Sequence, residues 1–525
     1  MLLFAAMLYA AEPLVLHGRV EHSALLGVDN EELGLKYDFP YLSNTYLDFG
    51  LQSKYVNAGL RAELMPKPLP GYDADFAGAG IGNIYVQANY KWLHVTVGDV
   101  YAQYGSGMVL RLYEDRALGV DNSLRGGKIV IEPYKGIHLE AIGGKQRVYW
   151  NCYQSAWGFD YTQGAVVGAN ADLQIDQWSK TMREHNIRWS IGGAYVSRYE
   201  PKDTVYASYD PPTIYNLPRW VAAGEIRTRL NVADWNIVAE YAYKANDPSL
   251  DNDFSYRHGD ALFLSASYSR KGLGVLMQIK RSENMSFRSG RLLRNNAGQI
   301  NYMPAFAPTH TYNLAAQYPY ATTTSGEWAW QGELTYTWRK KSKMGGRYGT
   351  TMFVNLSHIR GTGEQWFSVS QDPYYTDVHL GLKKRLSKQW WINAMYMYQT
   401  YNQLQTEGHG SILRSHVFIT DVKYQPLDYL ALRLEAQYLY TQDINNHFIY
   451  GLLEVSLWHC LMITASDMYN INGKNYYDVG LTFQKHGHRL QAGYAKQQDG
   501  FNCAGGVCRY QPAQNGAVLS YTYSF

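Results

Sequence analysis

The densest group of chemically capable side chains lies between Gly98 and Gly127, in the run GDVYAQYGSGMVLRLYEDRALGVDNSLRGG. Arg111, Glu114, Asp115, Arg116, Asp121 and Arg125 follow one another closely there. Arginine forks and carboxylates hold one another in charge-assisted pairs, and across an opening they leave a field that sorts ions. Gly105-Ser106-Gly107 permits a tight bend just ahead of them. Three arrangements suit such a segment: a loop near 103–125 folded into a pore as a constriction, a solvated surface loop with local ion pairs, or a specific ligand site. Glu225, Glu240, Arg433 and Glu435 stand on other segments as candidate wall partners. Where water fills the remaining space, each exposed pair adds no more than about 1 kcal/mol.

The remaining candidates are fewer. Cys503 and Cys508 bracket Ala-Gly-Gly-Val, and an oxidising cell surface favours a disulfide between them. Zinc is the rival reading, but it needs two further ligands and this loop holds no His. Cys152 and Cys460 fall near opposite rims and are not expected to pair. The Asn246 to Asp253 stretch, with Asp247, Asp251 and Asp253, could take calcium at a surface. It lacks the Gly-centred twelve-residue loop of an EF-hand, and a solvated acidic loop fits it better. Nothing resembles the carboxylate–His or Ser–His arrangements of enzymatic barrels. The expectation is therefore a non-enzyme without cofactor or metal.

The elements that carry these residues alternate with period two, which places one set of side chains on each face of a strand. Leu430, Leu432, Leu434, Ala436, Tyr438 and Tyr440 share one face, and Ala431, Arg433, Glu435, Gln437 and Leu439 the other. The split recurs over Trp235–Tyr243 against Asn236–Lys244, and again at Tyr477, Val479, Leu481 and Phe483. A soluble β-sandwich also alternates. Connection lengths separate the two. Tight turns such as Lys135-Gly136, Arg270-Lys271-Gly272, Leu386-Ser387-Lys388 and Lys485-His486-Gly487-His488 interleave with long connections at 23–43, 64–81, 103–125, 201–218 and 286–308. Short turns at one rim and long loops at the other predict an all-β transmembrane antiparallel barrel with short periplasmic turns and long extracellular loops. No window holds the roughly 18 uncharged apolar residues that a membrane helix needs.

Composition agrees. Aromatic residues are 15% of the chain and 47 are Tyr, while charged residues are only 18%. Barrel walls collect Tyr and Trp in girdles at both membrane interfaces. A net charge of +3, evenly spread, gives no footprint for nucleic acid. Met1 to Ala11 form an uncharged apolar run with small residues at its end, resembling a secretory signal without its positive n-region. One barrel domain then spans 12–525. At the other end Ala517, Leu519, Tyr521, Tyr523 and Phe525 share a face, resembling the terminal strand whose final aromatic the outer-membrane assembly machinery reads.

The strand count is 24 if 340–373 is one loop, and 26 if Thr351–Ile359 and Gln365–Ser370 form another hairpin. Twenty-four strands about 4.8 Å apart and tilted near 40° imply a wall roughly 45 to 50 Å across, too wide to be left open. No globular stretch ahead of the first strand offers a plug.

The Gly98–Gly127 run, with Gly144-Lys145-Gln146-Arg147 and Cys503-Ala504-Gly505-Gly506-Val507-Cys508-Arg509, resembles an uncharacterised family of outer-membrane barrels from the Bacteroidota. The resemblance runs along the whole chain. It implies fold and location and brings no activity or catalytic residues. The functional expectation is a channel or transporter for polar solutes, partly occluded by the in-folded loop. The alternative is a scaffold within a larger outer-membrane assembly or secretion complex. Expected partners are membrane lipid, the assembly machinery, and a protein filling or capping the lumen.

Overall fold

The computed structural model describes residues 14–150, 159–294, 296–442, 446–504 and 507–525. The signal-like residues Met1 to Ala11 and Cys152 lie outside them. Twenty-four antiparallel strands, from Val15–Gly27 to Gln514–Ser524, form a closed barrel. Each wall strand pairs with its neighbours in sequence, and the last closes on the first from Arg19 opposite Ser524 to Gly27 opposite Gly516. Among the described residues no helix is long and apolar enough to cross a membrane.

Alternation sets the faces. On strand Leu430–Thr441 the outward Leu434, Tyr438 and Tyr440 are exposed, whereas Glu435, Gln437 and Leu439 are buried inside. On Trp235–Lys244 the outward Trp235, Ile237, Tyr241 and Tyr243 stand opposite the buried Val238, Glu240, Ala242 and Lys244. An apolar exterior and a polar interior are what a wall between lipid and a lumen needs.

Expectations about connections are corrected: those expected at 23–43 and 64–81 shorten to 28–40 and 68–77, because their flanking wall strands run further. Residues 340–373 are not one loop, because Thr350–Thr362 and Val369–Arg385 are both wall strands; Gln365 to Ser368 form their connecting turn, so no extra hairpin raises the count to 26. The loop expected at 286–308 runs from Asn284 to Gly326. The loop expected at 103–125 ends before Leu124, since Leu124–Ile131 is a wall strand that places Arg125 on the barrel itself.

The largest buried core sits inside the barrel. Inward residues Val166, Val196, Val221, Val238, Phe263 and Ile359 pack against Tyr104, Met108, Val109, Leu110 and Leu112 from one connection and Met285, Phe287, Ile300 and Phe306 from another. These wall residues are apolar where a lumen is ordinarily polar, and left bare each would expose surface whose burial is worth about 1.5–3 kcal/mol. Residues 101–123 and 284–326 are the two inserts that cover them.

Candidate functional site

The first insert enters the lumen on bends at Gly105 and Gly107, both at positive φ. A Cβ at Gly105 would lie 2.7 Å from a Glu225 carboxylate oxygen, so only glycine lets the chain pass so near the wall. Burial of Tyr104 and Met108–Leu110 rules out the solvated surface loop considered for this run.

Its charges meet wall charges. Arg116 reaches Glu114 at 2.5 Å and the wall carboxylates Glu21 at 3.0 Å and Asp48 at 2.9 Å, and its guanidinium lies 4.4 Å over the Tyr46 ring. Arg61, on strand Val56–Lys67, joins Glu63 at 2.7 Å, Glu114 at 2.6 Å and Asp121 at 2.5 Å. Arg147 adds contacts to Glu63 and Asp121. Burial favours the neutral form of Asp121, but Arg147 and Arg61 overrule it and hold the carboxyl at about 2. The network is largely dry: the side chains of Arg61, Glu63, Asp121 and Arg147 are at most 6% exposed. The expectation of weak, water-filled pairs is therefore corrected for this group.

The other expected residues scatter. Arg111 lies over the rings of Tyr113 at 4.4 Å and Tyr302 at 5.6 Å, joining the two inserts. Asp115 accepts from the Leu118 amide in a local turn. Arg125 forms a two-toothed pair with Asp99 on the neighbouring strand. Glu225 pairs with Arg227, and Glu240 accepts from the Ser106 amide at 2.9 Å, so neither faces Arg111 or Arg116. Arg433 joins Asp421 and Glu435 on a distant part of the wall. Asp247 and Asp251 are not a solvated acidic loop: Asp247 holds Arg198 at 2.7 Å and Asp251 holds Arg288 at 2.6 Å.

Side-chain amides that carry no motif bind the inserts together. Asn301 donates to the Met108 and Met285 carbonyls and accepts from the Phe287 amide. Asn122 donates to the Arg111 and Gln299 carbonyls, and Gln146 of the wall donates to those of Asn122 and Gln299. Lys280 anchors the second insert through the Pro304 carbonyl while paired with Glu327 at 2.7 Å. Only the fold reveals these roles, since isolated Asn and Gln have no distinguishing spacing.

The inserts leave one side of the lumen open. A cavity of about 770 Å³ lies against the strands around the closing seam. Ser23, Thr464, Ser466, Thr482, Gln491 and Ser520 line its wall side, and Ala117, Asn313, Ala316 and Gln317 of the inserts face it. Its charged residues balance, with Asp478 and Asp499 against Lys496 and Arg509. At its mouth Cys503 and Cys508 form a disulfide within the hairpin Gly500–Ala504 and Val507–Gln511. That hairpin leans on the 68–77 connection, with Arg509 over the Tyr72 ring and Gln511 donating to the Pro70 carbonyl. Phe525 exchanges both backbone hydrogen bonds with Gly18 at the far rim. Cys460 is a free thiol in a short turn.

Fold and lumen together define a closed all-β barrel with an apolar exterior and an interior packed by its own loops. The chain belongs to the family described as Family of unknown function (DUF6029), whose model matches residues 1–525. No curated protein sequence matches it. Among solved structures, the siderophore receptor PirA from Pseudomonas aeruginosa is 9% identical, with a TM-score of 0.44 over 97% of this chain and 80% of that one. Pseudomonas aeruginosa OccK3 (OpdO) is 9% identical, with a TM-score of 0.39 over 97% and 95%. Pseudomonas aeruginosa OpdK with vanillate is 11% identical, with a TM-score of 0.37 over 98% and 99%.

Proposed function

We propose that the protein is an integral outer-membrane channel that passes small polar solutes of low net charge along the cavity beside the seam. The observation that carries this reading is the cavity itself. Its hydroxyl and amide lining runs from Gln498 and Asp499 at the long-loop rim to Thr482 and Gln491 within the wall. Such a lining replaces water around a polar solute without trapping it, and balanced charge leaves no strong ion preference. The apolar exterior supports membrane residence. In this reading the expected constriction changes character. The Arg116 and Arg61 network is a wedge that shapes the first insert, and Ala117 of that insert with Asn313 and Gln317 of the second borders the remaining passage.

The test is single-channel recording from purified protein in planar bilayers. Ala117→Trp and Gln317→Trp, which fill the cavity from either insert, are expected to reduce conductance severalfold while heat-modifiable gel migration stays normal. Folded wild-type protein that does not conduct would sink the channel reading and leave the scaffold as the better one.

A further inference from the structure

The second insert meets the wall at a group that the conduit reading does not use. His310, from the insert, places Nε2 at 2.5 Å from Asp377 Oδ2, and His379 places Nδ1 at 3.1 Å from Asp377 Oδ1. Asp377 and His379 are inward neighbours on strand Val369–Arg385. The three ligand-capable atoms lie within 4.8 Å of one another. The two imidazole rings meet edge to face, with centroids 5.3 Å apart. Asp377 is fully buried, whereas the histidine side chains retain 8% and 12% exposure toward the lumen.

We propose that His310, Asp377 and His379 bind a divalent transition-metal cation and that the bound ion fastens the second insert to the wall. Two imidazoles and one carboxylate are a borderline-soft donor set, which favours zinc, cobalt or nickel over magnesium and calcium. The carboxylate has the outer support that metal ligands need. The Tyr375 hydroxyl donates to Asp377 at 3.1 Å and itself accepts from Gln399 Nε2 at 2.9 Å. A metal-bound imidazole offers the lone pair of one ring nitrogen and carries its proton on the other, so the ion competes with protons for the nitrogens that now face Asp377. Three protein ligands leave a coordination position for water, which the residual exposure of the rings supplies. The ion would fix His310, three residues before Asn313 on the cavity lining.

The experiment is titration of chelator-treated full-length protein in detergent with cobalt, read as visible absorption from a low-symmetry site, with zinc as competitor. Wild type is expected to develop the band at one ion per chain and to lose it to zinc. His310→Gln and His379→Gln retain a donor for Asp377, so the insert keeps its hydrogen bond while a nitrogen ligand is lost. Each is expected to bind at least about tenfold more weakly. Limited proteolysis supplies a readout independent of the band: zinc should protect residues 284–326 in wild type and in neither variant. Wild type without the band, or variants that bind as tightly as wild type, would overturn the proposal.

Discussion

Arg61 is the more deeply buried of the two arginines that each meet three carboxylates, and its partners belong to both wall and insert. Removing it leaves Glu63 and Asp121 buried with fewer partners. Arg61→Ala is expected to cost about 3 to 5 kcal/mol, read as a lower denaturant midpoint. Arg19→Ala breaks a pair with Glu21 whose arginine is half exposed, and should cost no more than about 1 kcal/mol. Equal costs would mean that burial does not distinguish the two pairs. Asp121 adds a pH dependence. Its carboxyl is held at about 2 in the fold, so its contribution is complete above the unfolded value near 4 and is lost as pH falls through 2. Pepsin should therefore cut residues 101–123 increasingly between about pH 4 and 2, and Asp121→Asn should flatten that dependence. An unchanged pH profile in the variant would count against this role.

At the scale of elements, the two inserts behave as one packed body because each supplies the other's hydrogen-bond partners. Asn301→Ala strips partners from Met108, Met285 and Phe287 at once, leaving buried backbone groups unmet at about 1–3 kcal/mol. Both inserts are then expected to become protease-sensitive together; cleavage confined to 284–326 would show that the first insert stands alone. The wall strands were legible because lipid on one side and lumen on the other impose period two, as Leu434 against Glu435 illustrates. The turn into the lumen was legible at Gly105-Ser106-Gly107 for the same kind of reason, a backbone demand that few residues meet. The second insert was not. Met285, Phe287, Ile300 and Phe306 follow no period, since they fill a space shaped by side chains far away in sequence. His310 and Asp377 are likewise brought together only by the path of that insert across the barrel.

For the whole molecule, the seam is the decisive contact. Gly18 and Phe525 exchange paired backbone bonds, and a Cβ at Gly18 would sit 2.4 Å from the Phe525 ring, so glycine makes room for the terminal aromatic. Deleting Phe525 removes both the bonds and the residue proposed as an insertion signal. Its level in the outer membrane is expected to fall, whereas normal levels and normal protease resistance would argue against that role.

The seam also sets an order of events in time. A ring that closes between its first strand and its last cannot be shut until the last strand has been made, and contacts of such sequence separation form slowly. Both inserts, at 101–123 and 284–326, emerge well before that moment. Their contacts with neighbouring wall strands can therefore form while the sheet is still open, ahead of the closing strand. The unshut edge Val15–Gly27 stays available for pairing throughout that interval. It is the part of the nascent molecule most in need of a temporary companion.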